Sequence, residues 1–380
     1  MTIKVLNVFG TRPEAIKMAP VCAALQSDNR FTSKICVTGQ HREMLDSVMD
    51  FFRLKSDFDL DVMRPGHSLN SLSSAILTGL NNIFSNYRPD CVLVHGDTTT
   101  CFVASLASFH ENIPIGHVEA GLRTGDINSP WPEEANRKLT ASLARLHFSP
   151  TKKSKENLEK ELVHSSKIVV TGNTVVDSLF FVSAKLAGSG QLTEFYEKKF
   201  KNLDKNKRIV LVTGHRRESF GDGFRNICAS IKQIANNNDV EIVYPVHLNP
   251  QVKGPVETEL SGLENVHLIE PQDYLSFIYL MNRAYLVLTD SGGVQEEAPS
   301  LGKPVLVMRN NTERPEAVDA GTVKLVGTDE EKIISATEHL LYDNDAYLKM
   351  SHAHNPYGDG QAASRIVSRL ADEFSTKVVR

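Results

Sequence analysis

Short apolar runs alternate with helix-like segments along this chain, and this alternation limits the possible folds more than any other feature of the sequence. One run, Cys91 to Val94, is apolar on both faces, which is typical of a central parallel strand covered by helices on each side. The alternation therefore predicts a doubly wound α/β sheet, in which ligands bind at the carboxyl ends of the strands. In the first half, the successive segments are Ile3 to Phe9, Ala15 to Leu25, Ile35 to Thr38, Glu43 to Phe52, Cys91 to His95, Cys101 to His110 and Ile115 to Val118.

The same pattern starts again after a polar, lysine-rich stretch that covers residues 151–167. Because 380 residues are too many for one small core, we predict two Rossmann-like domains, residues 1–170 and 171–361, with the ligand cleft between them. A helical pattern predicts that a C-terminal helix within residues 362–380 returns to the first domain. Residues 186–203 fit either a surface excursion or a helical element of the second domain. The new strand runs are Ile209 to Thr213, Glu241 to Val246, Val266 to Ile269, Tyr285 to Thr289 and Val305 to Met308.

The charges and cysteines exclude several classes of protein. A net charge of −4, without a long block of either sign, is not that of a nucleic-acid binder, so we expect a small-molecule partner. The five cysteines are scattered without C-x-x-C spacing, which argues against a disulfide framework and a zinc site and fits a reducing cytosol. The sequence has no apolar run of about 18 residues, and its first segment is typical of a strand rather than a signal peptide. We therefore predict a cytoplasmic protein without membrane contact.

The loop after the first predicted strand, residues 10–17, is a candidate anion site. It matches neither G-x-G-x-x-G nor G-K-[ST], but it places Pro13 in the first turn of a helix, between Arg12 and Lys17. A helix start beside two cations can hold an anion. A turn with two solvated cations fits the same residues equally well.

A second loop, residues 289–297, follows a strand and opens a helix, and it is the better phosphate candidate. Its glycines allow a diphosphate to approach the backbone amides of Ser291, Gly292 and Gly293. Glu297, one turn into that helix, fits a ribose ligand and a surface glutamate equally well. Two further cations, Arg309 and Arg314, follow the next strand, and we expect one of them to face the ligand.

Three carboxylates and a histidine lie just after predicted strands or in a polar turn, namely Asp97, Glu119, Glu133 and His215. This placement suits a ligand cleft, although each residue taken alone is more often a helix cap or a salt-bridged structural group. Arg137 lies one helical turn after Glu133, which suggests an ordinary i,i+4 ion pair.

The segment His117-Val118-Glu119 has the H-x-E form found in zinc deaminases. Alternation along a strand would put these histidine and glutamate side chains on one face. No P-C-x-x-C follows, and the other histidines show no ligand spacing, so we predict that the protein has no metal site.

Several long motifs resemble those of the non-hydrolysing UDP-N-acetylglucosamine 2-epimerases of bacterial surface-polysaccharide synthesis. The resemblance covers nearly the whole chain in order. The motifs are GTRPEAIKMAP at 10–20, QHREM at 40–44, HGDTTT at 95–100, GHVEAGLRTGD at 116–126, SPWPEEANR at 129–137, GHRRES at 214–219, TDSGGVQEEAPSLGKPVLV at 289–307 and TERPEAV at 312–318.

This resemblance implies a glycosyltransferase-B-like pair of domains, a homodimer, UDP-sugar substrates and no NAD or metal cofactor. The family's nucleotide contacts correspond here to Arg12, Lys17, Ser291, Gly292, Gly293, Glu297 and Arg314. The neighbours of uracil correspond to Gln272 and Phe277. The group around the sugar corresponds to Asp97, Glu119, Glu133, Arg137 and His215.

The family reaction interconverts UDP-N-acetylglucosamine and UDP-N-acetylmannosamine by expelling UDP to give 2-acetamidoglucal and then adding UDP back. It needs an acid and a base near opposite faces of carbon 2, and we expect Asp97, Glu119 and Glu133 to transfer the protons, in an order that the sequence leaves open. The alternatives are a UDP-sugar-dependent glycosyltransferase of the same architecture, a hydrolysing epimerase and a catalytically silent sensor.

The loop QHREM differs from the QHRQM of family members that bind a second, activating UDP-N-acetylglucosamine. The glutamate replaces a hydrogen-bond donor with a charged acceptor, and residues 64–67 do not supply the expected basic residue. This departure argues against strong allosteric activation.

Overall fold

Parallel pairing joins the strands of this protein into two separate sheets. The computed structural model describes residues 2–39, 42–62, 66 and 68–375. The first unit comprises the chain up to Ser178 and the chain from Tyr357 onward, and the second unit is Leu179–Pro356. The chain therefore passes between the units twice. The sequence pattern puts the domain boundary near residue 170, where the last strand of the first sheet ends, but the first passage occurs farther along, inside a helix.

The first unit is a parallel sheet whose helices connect successive strands. Its elements are β1 (Ile3–Phe9), α1 (Arg12–Ser27), β2 (Phe31–Val37), α2 (Arg42–Phe51), β3 (Phe58–Asp59), α3 (Leu69–Asn86), β4 (Cys91–His95), α4 (Thr99–His110), β5 (Ile115–Val118), α5 (Glu133–Leu143), β6 (Leu146–Ser149), α6 (Lys152–Lys160), β7 (Ile168–Val170) and α7 (Thr174–Gly188), which continues into the second unit. The strand order is β3-β2-β1-β4-β5-β6-β7. The connections change direction between β1 and β4, and such a switch point is where doubly wound sheets bind ligands.

The second unit repeats this plan with six parallel strands. Its elements are α8 (Gly190–Lys199), β8 (Arg208–Thr213), α9 (Asp222–Asn237), β9 (Val240–Pro245), α10 (Pro250–Leu260), β10 (Val266–Ile269), α11 (Tyr274–Arg283), β11 (Ala284–Thr289), α12 (Gly292–Glu297), β12 (Val305–Val307), α13 (Pro315–Asp319), β13 (Val323–Leu325), α14 (Glu330–Tyr342) and α15 (Asn344–Ser351). The order β10-β9-β8-β11-β12-β13 places the switch point between β8 and β11. Each unit is thus a Rossmann-like domain.

The predicted strands are confirmed in position. The predicted bounds match the structure to the residue at Ile3–Phe9, Cys91–His95, Ile115–Val118 and Val266–Ile269. The sequence pattern did not identify β3, β6, β7 or β13, which have two to four residues each and are too short to show a period. The lysine-rich stretch contains a helix of the first unit, α6, whose Leu158 is buried while its lysines face solvent.

The segment for which the sequence allowed two interpretations, residues 186–203, is helical. Helix α8 belongs to the second unit, and its Tyr196 stacks on Tyr279 with ring centroids 5.0 Å apart. The chain then returns to the first unit as helix α16 (Ala362–Ser375), which packs against α1 through a buried apolar face. Asp177 accepts hydrogen bonds from the backbone amides of Ala362 (3.2 Å) and Ala363 (2.9 Å) and so caps this helix. Among the described residues, no helix is long and apolar enough to cross a membrane.

Gly121, just after β5, is required both for its backbone angle and for its lack of a side chain. Its φ is +93°, and a Cβ atom there would lie 2.2 Å from the carbonyl oxygen of Ser154. Gly125 has a similar φ of +89°, but a Cβ atom there would meet no heavy atom within 4 Å. Comparing alanine substitutions at the two positions therefore separates the cost of backbone strain from the cost of a steric clash.

We predict that Gly121→Ala lowers the free energy of unfolding by about 1–3 kcal/mol more than Gly125→Ala does, which is the typical cost of overpacking. Both variants carry the left-handed strain of an L-residue, about 1–2 kcal/mol, but only the first also displaces backbone of α6. Urea unfolding followed by circular dichroism measures the difference. If both variants lost the same unfolding free energy, the loop at residue 121 would be able to move away from Ser154 without cost.

Candidate active site

One buried glutamate holds the turn between β1 and α1. The Glu14 carboxylate accepts hydrogen bonds from the backbone amides of Gly10 (3.0 Å) and Thr11 (2.8 Å), while the Thr11 side chain accepts from the Glu14 amide. The Thr98 hydroxyl donates to the same carboxylate at 2.7 Å, which links this turn to the loop after β4. Burial raises the pKa of Glu14. Sequence reasoning missed this residue, although the T-x-x-E spacing of a capping box signals it.

The two cations predicted to hold an anion at this turn have different surroundings. Arg12 is the first residue of α1 and is partly exposed, and Pro13 lies in the first turn as expected. Lys17, one turn later, forms an ion pair with Glu119, and only 15% of its side chain is exposed. Its charge is therefore matched by a carboxylate. We accordingly group Lys17 with the carboxylates of the first unit.

The loop after β4 is fixed through its backbone. His117 Nε2 donates to the Gly96 carbonyl at 2.7 Å, and the Cys101 thiol donates to the same oxygen. Asn136, from α5, donates to the Asp97 carbonyl at 2.8 Å. These contacts hold the loop from three sides, so the direction of the Asp97 side chain is set by neighbouring elements.

Glu119 follows the last residue of β5 and has a left-handed backbone, with a φ of +64°. The Lys17 ammonium and the Asn173 side-chain amide both donate to Glu119 Oε2, the amide at 2.8 Å. His95 Nε2 lies 3.9 Å from that oxygen. A non-glycine residue in this conformation is uncommon and is a feature of functional sites.

The pKa values of the two carboxylates are pushed in opposite directions. Burial raises the pKa of Asp97, against the opposing effect of the Arg137 guanidinium. Burial would also raise the pKa of Glu119, but the Lys17 ammonium, His95 and the hydrogen bonds from Lys17 and Asn173 together outweigh it, so that the pKa falls to about 2. Burial lowers the pKa of His95 to about 4, which makes this histidine neutral at physiological pH. The first unit therefore places a carboxylate whose pKa is raised beside one whose pKa is lowered.

Arg137 bridges two acids from different elements. Its guanidinium donates to Asp97 Oδ2 at 2.6 Å and to Glu134 Oε2 at 2.9 Å. The suggested i,i+4 pair with Glu133 is thus wrong about the partner, because the buried neighbour Glu134 takes that place. Glu133 itself is the half-buried first residue of α5.

In the second unit, Asp290 organises the switch point. Its carboxylate, at the end of β11, accepts hydrogen bonds from the backbone amides of His215 (2.6 Å) and Arg216 (2.7 Å) after β8. The His215 ring lies with Nδ1 3.5 Å from the other carboxylate oxygen, and burial lowers the His215 pKa. The sequence analysis identified His215 but not the buried aspartate that positions it.

The glycine loop and Arg314 lie together in the second unit. A Cβ atom on Gly292 would lie 2.5 Å from Arg314 Nη1, so the guanidinium lies directly against the loop of Ser291, Gly292 and Gly293. Buried Glu296 accepts from Arg314 Nε at 2.8 Å and fixes the guanidinium plane. Of the two arginines after β12, Arg309 instead forms ion pairs with Glu218 and Glu313.

The remaining predicted contacts surround α11 and α12. Glu297 is buried and accepts from the Tyr274 hydroxyl at 3.1 Å, so the interpretation of Glu297 as a surface glutamate is wrong. Gln272 lies just before α11 and donates to the Glu270 carbonyl. Phe277 is half-buried in the first turn of α11.

The H-x-E segment is not arranged as a strand would suggest. His117 is within β5 and hydrogen-bonds to backbone, whereas the positive φ of Glu119 breaks the alternation beyond the strand. In the described ranges, no three His, Cys, Asp or Glu side chains are grouped as metal ligands would be. The QHREM loop begins with Gln40 and His41, and the expected basic residue falls among residues 64–67; except for Gly66, these positions lie outside the described residues, and so does the side chain of Glu43, where the loop departs from QHRQM.

Comparison with known proteins identifies the family. A family model described as UDP-N-acetylglucosamine 2-epimerase matches residues 23–371. The chain belongs to this family. A UDP-N-acetylglucosamine 2-epimerase from Yersinia pestis is 58% identical over 375 residues, which is 98% of this chain and 100% of the relative. One from Escherichia coli K12 is 58% identical over 369 residues, 97% of this chain and 98% of the relative.

The fold agrees with that of a solved family member. A crystal structure of the UDP-GlcNAc 2-epimerase from Neisseria meningitidis, bound to UDP-GlcNAc, matches with a TM-score of 0.90 and 52% identity, covering 97% of this chain and 100% of the other. The two Rossmann-like domains form the glycosyltransferase-B-like fold that the motifs implied.

We predict that Lys17→Met destabilises the fold by about 3–5 kcal/mol, because removing one partner of a buried ion pair leaves the other charge unpaired. The double variant Lys17→Met with Glu119→Gln removes both charges and should be more stable than Lys17→Met alone. Urea unfolding of the two single variants and the double variant completes the cycle. If the double variant lost as much unfolding free energy as the two single variants together, Lys17 and Glu119 would not be a coupled pair.

Proposed function

We propose that this protein interconverts UDP-N-acetylglucosamine and UDP-N-acetylmannosamine by inverting carbon 2 of the sugar. The proposal rests chiefly on Asp97 and Glu119, two partly buried carboxylates whose pKa values are shifted in opposite directions. Pairs of titratable groups separated in this way are typical of acid and base partners. Membership of an epimerase family and a relative solved with UDP-GlcNAc support the choice of substrate.

The substrate determines the route of the reaction. Carbon 2 carries an acetamido group rather than a carbonyl, so removal of its proton alone would leave an unstabilised carbanion. Expulsion of UDP from carbon 1 as the proton leaves gives neutral 2-acetamidoglucal, and addition of UDP to carbon 1 with protonation of carbon 2 from the opposite face gives the epimer. Elimination followed by addition leaves the overall oxidation state unchanged, so the reaction needs no nicotinamide cofactor.

We infer that Glu119 is the base in one direction and that Asp97 is the acid. Glu119 is ionised near neutral pH and takes the carbon-2 proton, while the electrons of that C–H bond form the double bond as the C1–O bond breaks. Asp97, whose raised pKa favours its protonated form, then delivers a proton to the other face. The roles exchange in the reverse direction, and solvent resets both groups. Glu133 stays a third candidate for proton transfer.

The second unit supplies the contacts that we assign to UDP. The amides of Ser291, Gly292 and Gly293, at a helix start beside the fixed Arg314 guanidinium, suit a diphosphate that gains charge as it leaves. We assign Glu297 to the ribose, His215 to the leaving diphosphate, and Gln272 and Phe277 to uracil. In the first unit, partly exposed Arg12 is the further candidate for phosphate.

Proton NMR of the protein with UDP-N-acetylglucosamine in heavy water tests the function. We expect deuterium at carbon 2 of both UDP-sugars and no free sugar, because the acid and the base exchange with solvent between turnovers. Starting material that stays unexchanged would reject the epimerase, as expected for a glycosyltransferase or a silent sensor. Accumulation of free N-acetylmannosamine would instead identify a hydrolysing enzyme.

The division of roles predicts different defects for substitutions in the two units. Asp97→Asn and Glu119→Gln should lower kcat by about 100-fold or more, the range of general acid–base catalysis, with UDP affinity nearly unchanged. Arg314→Lys keeps a cation beside buried Glu296 but loses the planar guanidinium group and its several N–H donors. This variant should weaken UDP binding by roughly tenfold to 100-fold. Calorimetric titration with UDP and steady-state kinetics make the comparison. A similar loss of UDP affinity in all three variants would contradict it.

We also propose that the protein is a cytoplasmic homodimer that supplies N-acetylmannosamine for a bacterial surface polysaccharide. Support for these points comes from the family motifs alone. Light scattering of the purified protein tests the dimer.

A further inference from the structure

Asn173 lies in the first unit, next to the segment through which the chain leaves for the second unit and next to the segment through which it returns. It immediately precedes α7, which carries the chain past Ser178, and its backbone amide donates to the carbonyl of Tyr357 (2.7 Å), the first residue of the returning segment. The two segments touch closely here, since a Cβ atom on Gly172 would lie 3.2 Å from the Gly358 Cα atom. The backbone of Asn173 is therefore held by both segments.

The side chain of Asn173 is fixed at both ends of its amide group. It is 2% exposed, its Oδ1 accepts from the backbone amide of Val175 at 3.1 Å, and its Nδ2 donates to Glu119 Oε2 at 2.8 Å. Rotating the amide by half a turn would break the first bond and point an oxygen at the carboxylate. The network thus determines which atom faces Glu119.

We propose that Asn173 is a positioning residue for Glu119, which selects the rotamer in which this carboxylate reaches the substrate. The inference rests on the proposed function of Glu119 as a base. Lys17 neutralises the charge, but its long side chain can follow the carboxylate through several rotamers. The short side chain of Asn173 cannot follow, because its Oδ1 is held by the Val175 amide and its backbone amide is held by the Tyr357 carbonyl. Lys17 therefore governs the charge of Glu119, and Asn173 governs its direction.

The variant Asn173→Asp isolates this role. It keeps the size of the side chain and an oxygen for the Val175 amide, and it replaces only the group that donates to Glu119. We expect kcat to fall by roughly tenfold to 100-fold, the cost of a small misplacement of a reacting group, while the affinity for UDP stays within about twofold. A residue that only capped α7 would show neither effect, because aspartate is also a good cap.

The pH profile gives a second readout. The groups around Glu119 are Lys17 from α1, His95 and Asp97 from β4 and its loop, and Arg137, which holds Asp97. A second carboxylate beside Glu119 disfavours its ionised form and raises its pKa. Because the base must be ionised, the acidic limb of the kcat/KM profile should move to higher pH in Asn173→Asp.

Two further variants make the test decisive. Asn86→Asp adds the same charge to the exposed end of α3 and should leave kcat and the pH profile unchanged. If Asn173→Asp does not fold, Asn173→Ser keeps a hydroxyl oxygen for the Val175 amide and should show the same loss of kcat. A folded Asn173→Asp or Asn173→Ser with the kcat of the unsubstituted protein overturns the inference. An unsubstituted protein that fails to exchange carbon 2 overturns the proposed function instead.

Discussion

The topological switch point of each sheet is the constraint on which the candidate site depends. In the first sheet, the chain goes from β1 to β2 on one side and from β4 to β5 on the other. In the second sheet, it goes from β8 to β9 on one side and from β11 to β12 on the other. The loops at the carboxyl ends of such strands diverge and leave an opening in which backbone amides and side chains are accessible. Asp97 and the turn before Arg12 lie at the first switch point, and His215 and the glycine loop lie at the second.

Open loops need to be held in one conformation, and in both units a buried carboxylate does this. Glu14 accepts hydrogen bonds from the amides of Gly10 and Thr11, and Asp290 accepts from those of His215 and Arg216. A buried acid can be retained when it accepts several hydrogen bonds, because these replace the water that it has lost. The acids that shape the loops are therefore distinct from the acids that we assign to proton transfer.

Unequal electrostatic surroundings distinguish the two carboxylates that we assign to proton transfer. Asp97 and Glu119 are both partly buried, but Glu119 receives the Lys17 ammonium and the Asn173 amide on one oxygen, whereas Asp97 shares Arg137 with Glu134. A shared cation stabilises a carboxylate less than a dedicated one, so burial prevails at Asp97 and raises its pKa. Two acids of nearly the same chemistry thus have pKa values shifted in opposite directions, as our proposal for the two proton-transfer steps requires.

The sequence by itself determined the two α/β domains, most strand positions and the identity of the loops that follow strands, because these depend on local apolar periodicity and on glycine and proline. It also indicated the glycine loop and Arg314 as a candidate phosphate site, through motifs that are contiguous in the chain. Only the tertiary structure decided that Lys17 pairs with Glu119, that Arg137 holds Asp97 and Glu134, and that Asn173 reaches Glu119. Most of these contacts join residues that are far apart in the chain. They depend on the strand order and on the left-handed backbone of Glu119. Neither feature leaves a periodic pattern in the sequence, so neither could be predicted from it.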